Sequence, residues 1–390
     1  MKIGILLSRV PYPLEKGDKL RAFQQIKQLS KNNELFVCAL NTTKIHPDAR
    51  REIEQYCQQL LIIDLPKITI PLQLLWGLIF KRLPLQVVYF FRKSAQKKIL
   101  SFFLQNKVEH IYCQLIRTAE YLKGFNQIPK TIDYMDALSV GMERRIENSP
   151  LYLKPFVKIE TKRLKRYEHF IFKEFDHHTI ISKQDRDLIV HARNDEIRII
   201  ENGVDLDFFR PMDSAKEFDL IFTGNMSYPP NVTAANFLVN EVMPKVWEWN
   251  ENLTIAIVGA NPTNSVKQLS SEKVIVTAWV NDIREYYAKS KIFIAPMKLG
   301  TGLQNKLLEA MAMKIPCITT TLANNALKAN PRETVIIADQ IEDTVESVKE
   351  LLVNKDLAST IANQAYEFVK GQFSWSRSVE KLEELFLETN

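Results

Sequence analysis

The chain has 390 residues, of which 46% are hydrophobic and 25% charged. That length exceeds one ordinary core and predicts two domains of roughly 150–200 residues each. The balanced composition, without repeats or long polar tracts, excludes a disordered chain or a solenoid. The net charge of +6 is uneven: residues 1–205 hold 34 Lys and Arg against 23 Asp and Glu, and residues 206–390 hold 18 against 23. A basic first half suits an anionic membrane surface, nucleic acid or a phosphorylated substrate, or is simply a solvated basic surface.

In chain order, the first half alternates β-rich runs with helical stretches. The runs are Lys2–Ser8, Glu34–Leu40, Leu60–Leu65, His110–Leu115, Thr131–Asp136, His178–Ser182 and Ile197–Asn202. Between the first two, Leu20, Phe23, Ile26 and Leu29 have helical spacing. Residues 202–214, with Asn202-Gly203 and Pro211, read as a linker. The second half repeats the plan with Asp219–Gly224, Thr254–Gly259, Val274–Ala278, Ile292–Pro296, Cys317–Thr320 and Thr334–Asp339, and with helices over Asn231–Asn250 and Asp282–Ser290. Apolar strands without alternation belong to parallel sheets covered on both faces. The expectation is an α/β chain of two Rossmann-like domains, 1–205 and 212–373, facing across a cleft, with a final segment near 374–387 returning to the first.

Four cysteines stand far apart, at 38, 57, 113 and 317, and read as buried small hydrophobes in a reducing compartment. The opening MKIGILLS reads as a strand and not as a signal peptide. The greasy stretch from Ile68 to Phe91 is broken by Pro71, Lys81, Arg82 and Pro84, and so does not read as a bilayer span.

One segment concentrates the chemistry. Ile292–Pro296 reads as a strand, Met297-Lys298-Leu299-Gly300-Thr301-Gly302 as a glycine turn, and Leu303–Met313 as a helix. Two glycines allow close backbone approach, and a helix start offers free N–H groups to a phosphate. Lys298 and Lys306 add cations. Glu309 shares a helix face with Lys306 but lies in the apolar run Leu307-Leu308-Glu309-Ala310-Met311-Ala312, where a carboxylate needs a partner. Lys306 is one partner; a pair of ribose hydroxyls is another. An ordinary helix pair, worth about 0.2–0.5 kcal/mol, hardly offsets the burial.

The stretch GTGLQNKLLEAMAMKIPCITT resembles the donor-binding motif of family 4 retaining glycosyltransferases, which have the GT-B fold. Phe222-Thr223-Gly224-Asn225-Met226-Ser227-Tyr228-Pro229-Pro230-Asn231 resembles that family's opening of the second domain. Thr277-Ala278-Trp279-Val280-Asn281-Asp282 resembles its base-facing loop, Asn202-Gly203-Val204-Asp205 its interdomain segment, and Pro11, Gly17 and Arg21 its first loop. Asp133 to Ser139 resembles a further segment of the same subset. The resemblance implies a hexosyltransferase-type enzyme (EC 2.4) of bacterial polysaccharide or glycoconjugate synthesis. It takes a nucleotide-sugar as co-substrate, UDP-linked more than GDP-linked, and needs no metal or other cofactor.

Carried over by position, Glu309 binds the ribose hydroxyls. Thr301, Gly302 and Leu303 offer backbone groups to the β-phosphate and sugar, and Lys306 and Lys298 offset the diphosphate charge. Gly17, Gly224, Asn225, Trp279, Val280, Gly300, Gln304 and Asn305 complete the donor side. Asp136 joins Lys306 and Glu309 as a catalytic candidate, near the sugar or acceptor, or else is a helix cap. Arg21, Ser139 and Arg144 lie on the acceptor side. The chain departs from the pattern at Thr301, where a glutamate is usual, at Asn225 and Met226, where arginine and lysine are common, and at Lys314, where glycine is common. These departures bear on the donor sugar more than on the reaction.

The helical segment Leu151–Phe175 is rich in Lys and Arg, and Leu72–Phe91 is aromatic with Lys81 and Arg82. Both suit interfacial membrane contact as well as ordinary packing. The expected partners are a nucleotide-sugar, a glycan or lipid-linked acceptor and an anionic membrane, with no nucleic acid; the expected location is the cytoplasm, peripheral at the inner membrane face. The rivals are a nucleotide-sugar epimerase or hydrolase of the same architecture and a non-enzymatic basic membrane-surface binding protein. A dinucleotide oxidoreductase is disfavoured, because Ser8-Arg9-Val10-Pro11 and not G-x-G-x-x-G follows the first strand.

Overall fold

The computed structural model describes residues 1–66, 74, 77, 83–147, 149–299 and 303–388. Two compact units emerge: residues 1–201 with 378–390, and residues 202–377. The segment from Asn202, read from the sequence as a linker, therefore counts with the second unit. Val204 lies beside Ser374 there, and Gly203 packs so close to Trp375 that an added Cβ would lie 2.4 Å from its backbone nitrogen.

The first unit is built on β1 (Lys2–Leu7), β2 (Glu34–Asn41), β3 (Gln59–Asp64), β4 (His110–Gln114), β5 (Lys130–Asp133), β6 (His177–Ile180) and β7 (Arg198–Ile199). They form one sheet in the order β3-β2-β1-β4-β5-β6-β7. Every pairing is parallel. Val37, Cys38 and Ala39 are buried in sequence, because helices cover both faces and each side chain meets a core. The helix Trp375–Leu387 sends Val379, Leu382 and Phe386 into this unit's core, where the Phe386 ring stacks on His110 at 4.4 Å.

The second unit carries β8 (Phe218–Thr223), β9 (Ile255–Val258), β10 (Val274–Val276), β11 (Ser290–Ala295), β12 (Cys317–Thr319) and β13 (Ile336–Ile337). Their order is β10-β9-β8-β11-β12-β13, again parallel throughout. The stretch Asn231–Asn250, expected as one helix, begins at Pro229 and widens into a π turn over Leu238–Val242 before resuming at Met243–Trp249. Pro244 accounts for the break, since it supplies no N–H to the preceding turn.

Chain order reverses between β1 and β4 in one sheet and between β8 and β11 in the other. At such switch points the loops leaving neighbouring strands part in opposite directions and open a crevice at the carboxyl ends. All the sequence-selected donor residues of the second half follow the ends of β8, β10 or β11.

Cys38, Cys113 and Cys317 are buried and Cys57 is half-buried; all four are unpaired thiols. Among the described residues no helix is long and apolar enough to cross a membrane. Residues 72, 73, 75, 76 and 78–82 of the aromatic-basic stretch expected over Leu72–Phe91 lie outside the described residues; its end forms the helix Leu85–Phe90.

A buried ion pair ties the first unit together. Arg21, on the helix Gly17–Leu29, donates to Asp133 at the end of β5 over 2.7 Å, and both side chains are fully buried. Tyr112 from β4 donates to the same carboxylate at 2.7 Å. Arg21 is thus a structural cation beneath the sheet edge, with no surface left for an acceptor. Arg21→Ala leaves the carboxylate without its counter-charge, and guanidinium denaturation should show a loss of about 3–5 kcal/mol in this unit. Arg21→Met with Asp133→Leu should recover only part of that loss: the pair's desolvation cost disappears together with its attraction, but the Tyr112 hydroxyl and the Met135 amide lose their acceptor.

Candidate functional site

In the second unit the site starts from two strand ends that nearly touch. Gly224 follows β8 and Gly259 follows β9, with φ of 152° and 151°. A Cβ on Gly259 would lie 1.8 Å from the Gly224 carbonyl oxygen, and one on Gly224 would meet the Asn231 side chain at 2.6 Å. Only glycine fits either place. This close approach brings the Asn231 amide to the sheet edge, where Nδ2 donates to the Asn225 carbonyl at 3.0 Å. The Asn225 side chain folds back, accepting from the Ser227 amide and hydroxyl at 3.0 and 2.8 Å.

Asn231 is buried, and its remaining acceptor, Oδ1, takes a hydrogen bond from the Lys306 ammonium. Lys306 also lies 4.9 Å from the Phe222 ring centroid. Its immediate neighbours are therefore an amide oxygen, a sulfur and an aromatic face. Burial pushes its pKa down to about 8, against the pull of Glu309. Lys306 keeps its charge near neutrality and loses it above about pH 8.

Glu309, one turn along the helix Asn305–Ala312, is half-buried. The Tyr287 hydroxyl donates to its Oε2 at 3.0 Å. Tyr287 also shares a 2.7 Å hydrogen bond with Thr223; a phenol has one proton, so Thr223 is the donor there whenever Tyr287 serves Glu309. Burial pushes the Glu309 carboxyl up, opposed by Tyr287 and by the charge of Lys306. Of the two partners the sequence offered Glu309, Lys306 makes no direct hydrogen bond to it; the two groups instead have separate neutral partners. Tyr287 and Asn231 both escaped sequence reasoning as site members, because they lie 22 and 75 positions from the groups they hold.

The turn at Gly300, Thr301 and Gly302 lies outside the described residues. Around it, Lys298 is exposed and sits 3.3 Å from the Phe237 ring centroid. Leu303 and Gln304 are half-buried before the helix, and Asn305 Oδ1 is buried with no hydrogen-bond partner among the described residues. At the helix's far end, Lys314 has φ of 54°. The Ile315 and Lys314 amides donate back to Ala310 and Met311, each at 3.0 Å. This left-handed cap explains why glycine suits that position.

After β10, Trp279 is 67% exposed and Val280 half-buried. The next residues are fixed: Asp282 pairs with Arg284 at 2.6 Å, and the Arg284 guanidinium lies 3.9 Å from the Phe208 ring centroid. The loop that carries the exposed indole thus leads into a segment tied to Phe208.

The first unit has its own polar edge. Gly17 is exposed and faces open space. Asp133 Oδ1 accepts the Met135 amide at 3.2 Å, and Met135 takes φ of 63°, so the buried Arg21 pair positions the turn that presents Asp136. Asp136 is an exposed residue, yet partial burial of its carboxyl, with Asp185 nearby, raises its pKa to about 6. Arg117 opposes the rise. Ser139 is fully buried, and its amide donates to Glu168 at 2.9 Å; it faces the interior and is not at the surface an acceptor would meet. Arg144 stands on the helix Leu138–Glu147, and its side chain lies outside the described residues. Among the described residues no group of three or more His, Cys, Asp or Glu could hold a metal.

The comparisons agree with this architecture. Residues 217–354 match the family model described as glycosyl transferases group 1. A Klebsiella pneumoniae chain, described as an uncharacterized 44.6 kDa protein in the cps region, is 22% identical over 95% of this chain and 96% of its own length. Sucrose-phosphate synthase of Thermosynechococcus elongatus superposes with a TM-score of 0.70 at 12% identity, covering 100% of this chain and 99% of the other. HepE of Anabaena, solved in complex with UDP, gives 0.68 at 13% identity and covers 100% of both chains. The fold is GT-B. Gly259→Ala, which forces a side chain against the Gly224 carbonyl, should lower the stability of the second unit by about 3 kcal/mol or more in thermal or chemical denaturation.

Proposed function

We propose, from the premise that residues 217–354 carry a glycosyl transferases group 1 domain, that the protein moves a hexose from UDP to a glycan or lipid-linked acceptor, retaining the anomeric configuration, in bacterial surface polysaccharide or glycoconjugate synthesis. The observation that carries this reading is the Lys306–Glu309 helix turn at the β8/β11 switch point, where two ionisable groups have only neutral hydrogen-bond partners. A nucleoside diphosphate supplies what each lacks: an anion for the ammonium and a pair of hydroxyls for the carboxylate. The UDP in the HepE complex and the cps-region relative support the choice of nucleotide and of setting.

In the reaction the bond between the anomeric carbon and the diphosphate oxygen breaks, and its electron pair stays on the phosphate. Lys306 and the start of the helix Asn305–Ala312 stabilise that growing charge, and since both are already oriented, little reorganisation is needed. The acceptor hydroxyl attacks from the same face and gives its proton to the departing phosphate. On the first unit, ionised Asp136 accepts a hydrogen bond from an acceptor hydroxyl and orients it. Neither a metal nor a separate cofactor enters this scheme.

We further propose that the first unit contacts a membrane. Leu151, Tyr152, Phe156 and Ile159 are 84%, 74%, 53% and 46% exposed, and Lys158, Lys162 and Arg166 are exposed beside them. Apolar side chains flanked by cations suit an anionic interface. We place the protein in the cytoplasm, peripheral at the inner face of the membrane.

Titration calorimetry with UDP tests the donor assignment. Glu309→Ala should weaken binding by about 10- to 100-fold, the worth of hydrogen bonds to a charged group. Wild-type affinity should fall above about pH 8, as Lys306 loses its proton. Unchanged UDP affinity in Glu309→Ala contradicts the assignment. Turnover should fall as pH drops through about 6, where Asp136 takes up its proton, while Asp136→Asn should keep UDP binding and lose most turnover. Co-sedimentation with vesicles containing anionic lipid checks the membrane surface: Phe156→Glu with Ile159→Glu should release the protein, and retention at the wild-type level counts against that surface.

A further inference from the structure

The first unit contains a cavity lined by side chains to which no role has yet been given. It lies at the carboxyl ends of β1 and β2 and has a volume of about 570 Å³. One wall is the segment from Arg9 to Lys19, and the other is the segment from Leu40 to Pro47. Four cations line it, Arg9, Lys16, Lys19 and Lys44, against a single carboxylate, Glu15.

These cations are not equivalent. Arg9 is engaged by Asp18 at 2.8 Å, and Lys19 by Glu15 at 3.1 Å. Among the described residues Lys16 and Lys44 have no ion pair, and both are exposed to solvent. They come from opposite walls, so two ammonium groups without counter-ions share one concave space. The His46 Nδ1 accepts the Asp48 amide at 3.2 Å. The same ring lies edge-on to Tyr12 at 5.3 Å, and Tyr12, Val10 and Ile45 give the cavity an apolar side.

We infer that this cavity is a binding site for a phosphate group carried on an apolar or sugar body, held between Lys16 and Lys44. A phosphate fits better than a carboxylate on two grounds. Two separated ammoniums act as point charges on a dianion, and the Arg9 guanidinium already donates through Nη1 to Asp18, which leaves it fewer donors for a planar carboxylate. The apolar wall then contacts whatever the phosphate is attached to. Placed on the proposed transferase, and resting on that reading, the site gives the acceptor its chemical class: a phosphorylated molecule, either a lipid phosphate or a free sugar phosphate.

The site is tested by direct binding to the full chain, separately from catalysis. Farnesyl phosphate represents the lipid source and glucose 1-phosphate the free source. Either probe should bind wild type, inorganic phosphate should compete, and Lys16→Ala with Lys44→Ala should weaken binding by about tenfold or more. Lys16→Arg with Lys44→Arg should retain most of it, and added salt should weaken it, since the lysines are exposed. Preference for farnesyl phosphate identifies a lipid-linked acceptor, and preference for glucose 1-phosphate a soluble one. Binding of neither probe, or equal binding by wild type and the alanine pair, overturns the inference. UDP affinity, measured on the same proteins, should be unchanged by the lysine substitutions; a protein that binds the phosphate probes but not UDP would sink the donor reading and leave this site standing.

Discussion

Lys306 and Glu309 stand one helix turn apart, and the protein keeps both largely from water without letting their hydrogen bonds neutralise each other. Burial works against the charge on each, lowering the ammonium's proton affinity and raising the carboxyl's. Each finds only a neutral partner, an amide oxygen for one and a phenol for the other. Such an arrangement costs folding free energy that an ordinary surface pair would not. For Lys306 the cost is fully present below about pH 8 and is relieved as pH rises toward the ordinary lysine value, because the unfolded chain holds that proton more tightly. A bound anion relieves the same cost by holding the proton in place.

The rest of the second unit serves that arrangement. Lys306 is aimed by Asn231, Asn231 is anchored to the carbonyl of Asn225, and Asn225 is where it is because Gly224 and Gly259 let the ends of two paired strands lie almost in contact. On the other side, Thr223 at the end of β8 and Tyr287 orient Glu309. Both chains of contacts begin on β8, the strand beside the topological switch. Parallel order, glycine geometry and side-chain chemistry thus converge on one edge of one sheet. The first unit shows the same economy, since its buried Arg21–Asp133 pair shapes the turn that presents Asp136.

Much of this was legible in the sequence. Each strand from β1 to β13 overlaps an apolar run that could be marked in advance, because a strand covered on both faces leaves an unbroken hydrophobic signature. Glu309 stood out as a carboxylate in an apolar helix, and Lys306 as its neighbour on the same face. Their true partners did not stand out, because Asn231 and Tyr287 come from elements that only the sheet order brings near. Arg21 was misjudged for a related reason. A lone arginine in a first loop and helix looks solvent-facing until Asp133, 112 residues away, is seen beneath it. The π turn over Leu238–Val242 hid inside a helical periodicity that Pro244 interrupts only locally. Lys16 and Lys44 belong to separate loops, and nothing in either loop announces the cavity they share.

The central claim is that one helix turn of the second unit holds a nucleoside diphosphate. The most direct measurement is a crystal structure of the full chain with UDP. The account predicts both ribose hydroxyls within hydrogen-bond distance of the Glu309 carboxylate and the diphosphate at Lys306 and the start of the helix Asn305–Ala312. UDP bound elsewhere on the chain, or bound here with its ribose turned away from Glu309, would contradict it.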